Sequence, residues 1–204
     1  MKQSKKLLTA MLTVLAGTML NAAPDLSAYK PVDPAKNILK NSGFENFIAD
    51  KNWITNWGKC SDSVLLDKEI KHSGESSLKI GNIPAGYASV AFPMGNIADL
   101  KNDLLIRGWV KSENITGPKK ALPFIGVWCY TAQKKNSRSI NLFNIPAGSC
   151  DWKYFETVLK FEDFKRLCSK NKPVPVTYTF RINLYLQSGW IWVDDLEVIP
   201  LEKK

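Results

Sequence analysis

Apolar and polar positions alternate along most of the chain in short runs broken by turn residues. Ser63–Asp67, Ser77–Ile80, Tyr87–Phe92, Leu104–Lys111, Pro123–Thr131, Tyr154–Phe161, Val176–Gln187 and Trp190–Ile199 all read as strands. Turn signals separate them, among them Asn41-Ser42-Gly43 before Phe44-Glu45, and His72-Ser73-Gly74. Only Phe161 to Ser169 suggests a short helix. Eight or nine strands without a βαβ rhythm predict an all-β fold, a two-sheet antiparallel β-sandwich or jelly roll.

Two of these strands carry unusual faces. In Val176–Gln187 the even positions Tyr178, Phe180, Ile182, Leu184 and Leu186 are apolar. The odd positions hold Thr179, Arg181, Asn183, Tyr185 and Gln187. A solvated sheet face tends towards Lys, Glu and Thr; this row offers planar hydrogen-bonding groups that suit a hydroxyl-rich ligand. In Pro123–Thr131, Ile125, Val127 and Cys129 share one face, while Phe124, Trp128 and Tyr130 share the other. Either the rings are exposed and available to stack on sugar C–H faces, or they are the core side and the aliphatics face out. The face that Gly126 keeps flat would decide.

The last strand poses a problem of charge. Under strict alternation Asp194 shares a face with Leu196 and Val198, and Asp195 and Glu197 take the other. A carboxylate on the apolar side needs compensation, from a cation, a buried Arg or a ring of backbone N–H groups.

The chain begins with Lys2, Lys5 and Lys6, an apolar run from Leu7 to Leu20, and Asn21-Ala22-Ala23-Pro24. This describes a secretory signal peptide over 1–22, cleaved near Ala22, and predicts a secreted or periplasmic protein. An N-terminal membrane anchor is the alternative, but the run falls short of the ~20 residues a span needs. Residues 23–36 hold three prolines and read as an extended leader, leaving one domain over 37–200. The formal charge of +9 falls to about +6 without the three lysines, which favours acidic partners such as uronate-containing glycans. No RNA-binding or helix-turn-helix pattern points to nucleic acid. Cys60, Cys129, Cys150 and Cys168 permit two disulfides or buried thiols, and no pair has metal-binding spacing.

Five landmarks then fall in order: NILKNSGFE at 37–45, HSGESSLKI at 72–80, LIRGWVKS at 105–112, GSCDWKYFE at 148–156 and SGWIWVDDLEV at 188–198. Together they make the domain resemble carbohydrate-binding modules of the 4/9/22 type, within the galactose-binding-domain-like jelly rolls. The resemblance implies a structural Ca²⁺ away from the ligand groove. Glu45 and Asp194 match its side-chain ligands, and carbonyls near Gly43 and in the Glu69–His72 turn its backbone ligands. Zn²⁺ or a salt-bridged Asp194 is the alternative. It also implies a sugar groove on one sheet, onto which Tyr87, Trp128, Tyr130, Arg181, Asn183, Tyr185 and Gln187 map. Trp109 and Trp152 match landmark tryptophans that are more often core.

Enzyme chemistry finds little support. A glycosidase needs two carboxylates across a cleft, and Asp194 and Asp195 are adjacent with side chains expected on opposite faces. No nucleophile–base motif surrounds the single histidine, His72. A polysaccharide lyase using Tyr185 and Arg181 stays open, as does a monomeric structural or protein-interaction jelly roll without sugar binding. The expectation is a monomeric, non-catalytic polysaccharide-binding protein.

Overall fold

The computed structural model describes residues 23–204 apart from 34, 61, 119–121, 134–135, 163, 165 and 167–174. The side chains of 83–85, 136–138 and 186–187 are also outside the described set. The expected signal segment, Cys168 and most of the expected helix lie outside it; Phe161, Glu162, Phe164 and Arg166 are helical.

Eleven strands follow in chain order. They are β1 (Tyr29–Pro31), β2 (Phe47–Ile48), β3 (Trp53–Ile54), β4 (Gly58–Lys59), β5 (Val64–Asp67), β6 (Ser77–Asn96), β7 (Asp103–Thr116), β8 (Phe124–Tyr130), β9 (Asn136–Asn144), β10 (Gly148–Leu159) and β11 (Thr177–Lys203). Every pairing is antiparallel. The two long strands organise the rest. The first half of β11 lies between β6 and β8, with β9 beyond β8. Its second half lies between β6 and β7, with β10 beyond β7 and β5 on the far side of β6. Two layers therefore share β6 and β11 and enclose a single core cluster, to which Ile125, Val127, Phe180 and Ile182 contribute from one layer and Ile106, Val110, Phe155 and Val193 from the other. At the far edges Phe143 of β9 stacks on Phe155 of β10, with ring centroids 4.8 Å apart. The all-β sandwich expected from the alternation is the observed fold.

The turn from one layer to the next falls at Gly189. Its φ is +90°, and a Cβ there would sit 2.3 Å from the Asn114 carbonyl oxygen. Only glycine permits both the backbone angle and that approach. Register shifts flank the position between Tyr185 and Gln187 and between Gln187 and Trp190. What the alternation divided into two strands on either side of Ser188-Gly189 is thus one bent strand, and Ser77–Ile80 and Tyr87–Phe92 likewise belong to one strand, β6.

A second irregularity corrects the parity of the last strand. Between Asp194 and Glu197 the β11–β7 register shifts by one residue, a β-bulge, and Asp195 has φ +48°. Ile191 and Val193 face the main core before the bulge, Leu196 and Val198 after it. Asp194 therefore does not share the face of Leu196 and Val198, because the extra residue flips the alternation.

The leader segment is extended and joins the sheet. Tyr29–Pro31 pairs with Lys203–Leu201, and the Tyr29 hydroxyl donates to Asp103 Oδ2 at 2.8 Å. Leu26 and Tyr29 pack on a small cluster of Leu105, Ile199 and Leu201, on the side of that layer away from the main core. β9 begins at Asn136, and its Ile140 and Leu142 pack against the core. Among the described cysteines, Cys60 and Cys129 are buried thiols and Cys150 is half-buried, all unbridged.

Candidate functional site

The layer made by β6, β11, β8 and β9 has one face in the core and one outside, and strand alternation assigns each residue. Ile125, Val127 and Cys129 are buried, as are Phe180, Ile182 and Leu184. Their neighbours Phe124, Gly126, Trp128 and Tyr130 on β8, and Thr179, Arg181, Asn183 and Tyr185 on β11, therefore occupy the outer face. This decides the register left open by the sequence: the rings are outside and the aliphatics inside. The glycine agrees. A Cβ on Gly126 would meet the Ile140 carbonyl oxygen at 2.3 Å and the Phe124 ring at 3.1 Å, so the ring lies over a position that must stay bare.

Across this face the register sets named pairs side by side. Tyr185 is directly opposite Tyr87, and the two rings are 50% and 64% exposed. Asn183 lies between Ser89 of β6 and Phe124 of β8. Arg181 lies between Ala91 and Gly126, and Thr179 between Pro93 and Trp128. On β9, Ser139, Asn141 and Asn144 are exposed beside Trp128, Gly126 and Phe124.

Two polar groups on this face are buried without partners among the described residues. Asn183 is only 4% exposed, and neither its amide nitrogen nor its amide oxygen makes a hydrogen bond; the Trp128 indole N–H is in the same condition. Leaving such a group unsatisfied costs ~1–3 kcal/mol, so a persistent case asks for an explanation. Beside them the Arg181 guanidinium lies 4.6 Å from the Trp128 ring centroid and 5.4 Å from that of Tyr130. Its own hydrogen bonds are long, from Nε to Thr179 Oγ1 at 3.4 Å and from Nη1 to Ser89 Oγ at 3.3 Å.

The structure thus brings together six of the seven sequence-predicted ligand residues, Tyr87, Trp128, Tyr130, Arg181, Asn183 and Tyr185. The side chain of the seventh, Gln187, lies outside the described residues, and its backbone pairs with Ile83. Tyr87 sits within β6. Residues missed by sequence reasoning are Ser89 and the polar edge of β9. The alternation of Ile140 and Leu142 with Asn141 was the available signal for β9.

The residues matched to a metal site behave differently. Asp194 is fully buried, and both its oxygens receive N–H groups: Oδ2 from His72 at 2.9 Å and Ser73 at 3.2 Å, Oδ1 from Asp195 at 2.8 Å. Burial pushes its carboxyl up to about 6, against the pull of the Ser73 and His72 N–H groups, and the Asp195 charge adds to the rise. Asp195, expected to face solvent, instead accepts from Ser73 Oγ at 2.7 Å and meets His72 Nδ1 at 2.7 Å. The His72 ring stacks on Trp109 at 3.9 Å, which places Trp109 on the outside of the sandwich rather than in its core. Glu45 Oε2 accepts the Glu75 N–H at 2.9 Å, Gly43 lies against Glu45 and Asp195, and Glu69 is exposed with its N–H given to Asp67. Calcium needs oxygen lone pairs converging on one point. Here the 72–73 turn presents N–H groups to Asp194, and among the described residues no three His, Cys, Asp or Glu side chains are placed to hold a metal ion. Of the compensations open to Asp194, backbone N–H groups are the one observed.

No family model matches the chain, and no curated protein sequence matches it. Solved structures do. The CBM22-1 xylan-binding domain from Paenibacillus barcinonensis Xyn10C aligns with TM-score 0.52 at 11% identity, covering 83% of this chain and 96% of that one. The CBM22-1–CBM22-2 tandem domain of the same protein gives 0.53 at 11% identity, over 86% and 49%. The enzymatically active domain of bacteriophage CBA120 tailspike protein 4 gives 0.49 at 16% identity; the chain covers 79% of itself but spans only 21% of that domain's length. At these identities the likeness is one of fold, and the fold is that of carbohydrate-binding-module β-sandwiches.

Proposed function

We propose that this chain is an exported, non-catalytic carbohydrate-binding module that holds an oligo- or polysaccharide on the open face of β6, β11, β8 and β9. One observation carries the reading: Asn183 keeps a buried amide, with no partner among the described residues, at the centre of a face lined by Tyr87, Tyr185, Phe124 and Trp128. Sugars match this pattern, with C–H faces for the rings and vicinal hydroxyls that both donate to the amide oxygen and accept from its nitrogen. The sandwich fold shared with a xylan-binding domain supports the reading, and the N-terminal segment supports export.

Glycoside hydrolysis is left out for a chemical reason. Glycoside hydrolysis requires a pair of carboxyl groups flanking the bond. Residues 87–93, 124–130, 136–144 and 177–185, which build the face, contain no Asp, Glu or His. The test is affinity electrophoresis of the full chain through gels containing neutral and acidic polysaccharides, with Tyr185→Ala as the variant. Wild type is retarded by at least one glycan. The variant, with unchanged circular dichroism, loses affinity by about 2- to 10-fold, the worth of one aromatic contact. Absence of retardation by every glycan tried would refute the proposal.

A further inference from the structure

The electrostatics of the same face point to the class of sugar. Arg181 is half-buried, and among the described residues no carboxylate pairs with it. Its guanidinium lies over the Trp128 ring and near that of Tyr130, and among the described residues its fork is met by the hydroxyls of Thr179 and Ser89 at 3.3–3.4 Å. A partly desolvated cation without a counter-charge is an uncommon arrangement, because burial costs it solvation that ring contacts and long hydrogen bonds return only in part. The surrounding sequence withholds that counter-charge along the whole face, since its four strand segments contain two arginines, Arg138 and Arg181, and no acid.

A face selective for neutral sugars gains from Asp and Glu, which accept two hydroxyl donors at once. This face offers only amide and hydroxyl acceptors, held beside a fixed guanidinium fork of the geometry that binds a carboxylate in bidentate fashion. We infer that the glycan held here is anionic, and that Arg181 recognises its charged group, a uronate carboxylate or a sulfate ester, while Asn183 engages the hydroxyls of the same or the adjacent residue. This rests on the carbohydrate-binding reading above. The rings beside Arg181 fix its position before the ligand arrives, so little side-chain entropy is lost on binding.

Isothermal titration of the full chain tests it with four probes: a uronic-acid oligomer, the same oligomer with its carboxylates reduced to alcohols, a sulfated neutral oligomer, and its desulfated form. The expected result is that one charged probe binds at least about 10-fold tighter than its neutral counterpart, and which one does so names the anion. The preference shrinks as NaCl is raised. Arg181→Gln removes the preference, and Arg181→Lys, which keeps the charge but loses the fork, retains part of it. Equal binding of charged and neutral probes would overturn the inference and leave the carbohydrate reading standing. Failure of all four to bind would overturn both. If Arg181→Gln melts early, the comparison of wild type across the four probes decides alone.

Discussion

Replacing Asn183 by Leu separates stability from binding at one residue. In the free protein Asn183 is 4% exposed and both polar atoms of its amide are without partners among the described residues. Each unsatisfied group costs ~1–3 kcal/mol, whereas an apolar side chain of similar size leaves nothing unpaired. Leu adds buried apolar surface between Phe124 and Ser89 but is slightly bulkier, and overpacking takes back ~1 kcal/mol or more. The net expectation is a stabilisation of ~1–3 kcal/mol. For a domain of this size that raises the melting temperature by about 2–12 °C, since each kcal/mol is worth about 2–4 °C. The same change removes the central hydrogen-bonding group of the face, so glycan affinity falls by about 10-fold or more. Thermal and urea unfolding followed by near-ultraviolet circular dichroism, together with titration calorimetry, measure both quantities. A variant less stable than wild type by 1 kcal/mol or more would refute the reasoning, because the amide would then be earning its place inside the fold. A more stable variant with undiminished binding would refute the ligand half alone.

Two further predictions concern the carboxylates of Asp67 and Asp194. Burial alone would raise Asp67, but the Trp192 indole N–H, the N–H groups of Ile70 and Glu69, and Lys79 outweigh it and hold the carboxyl down at about 2. Because its folded pKa lies below the ordinary 3.8, its contribution is present above that value and is lost as pH falls towards 2. Acid unfolding of Asp67→Asn should therefore lack about 2 kcal/mol of the pH dependence that wild type shows between pH 4 and 2; identical slopes would contradict it. At the 72–73 turn, where Asp194 is already held by three backbone N–H groups, EGTA is expected to leave the melting temperature unchanged. A drop that Ca²⁺ reverses would mean that Asp194 turns its oxygens from N–H donors to an ion.

The face proposed to hold the ligand was legible because its signal is local. Arg181, Asn183 and Tyr185 alternate with Ile182 and Leu184 inside one strand, and period two alone puts them together. The orientation of β8 was not, since Ile125 and Trp128 are both plausible core residues; the contact of Gly126 with Ile140 on another strand decides it. The parity of Asp194 failed for a related reason. The bulge depends on Asp195 adopting a left-handed backbone, a conformation Asp tolerates but does not announce. β1 escaped notice because Tyr29–Pro31 is short and gains its partner only from a strand more than 170 residues later. The expected calcium rested on residue types, Glu45 and Asp194, which are indeed in the same region; whether backbone N–H or C=O groups point at a carboxylate is set by peptide orientation, and residue identity carries no trace of it.

The sharing of β6 and β11 between the two layers has a thermodynamic consequence. Neither layer owns a complete set of strands, so neither can open while the other stays closed: melting the first half of β11 strips β8 of its partner and pulls on the chain that continues into the pairing with β7. The domain is built to unfold as one cooperative unit. A ligand seated on Tyr185 and Asn183 therefore slows amide exchange well beyond the strands it touches, including those around Asp194 on the other side of Gly189.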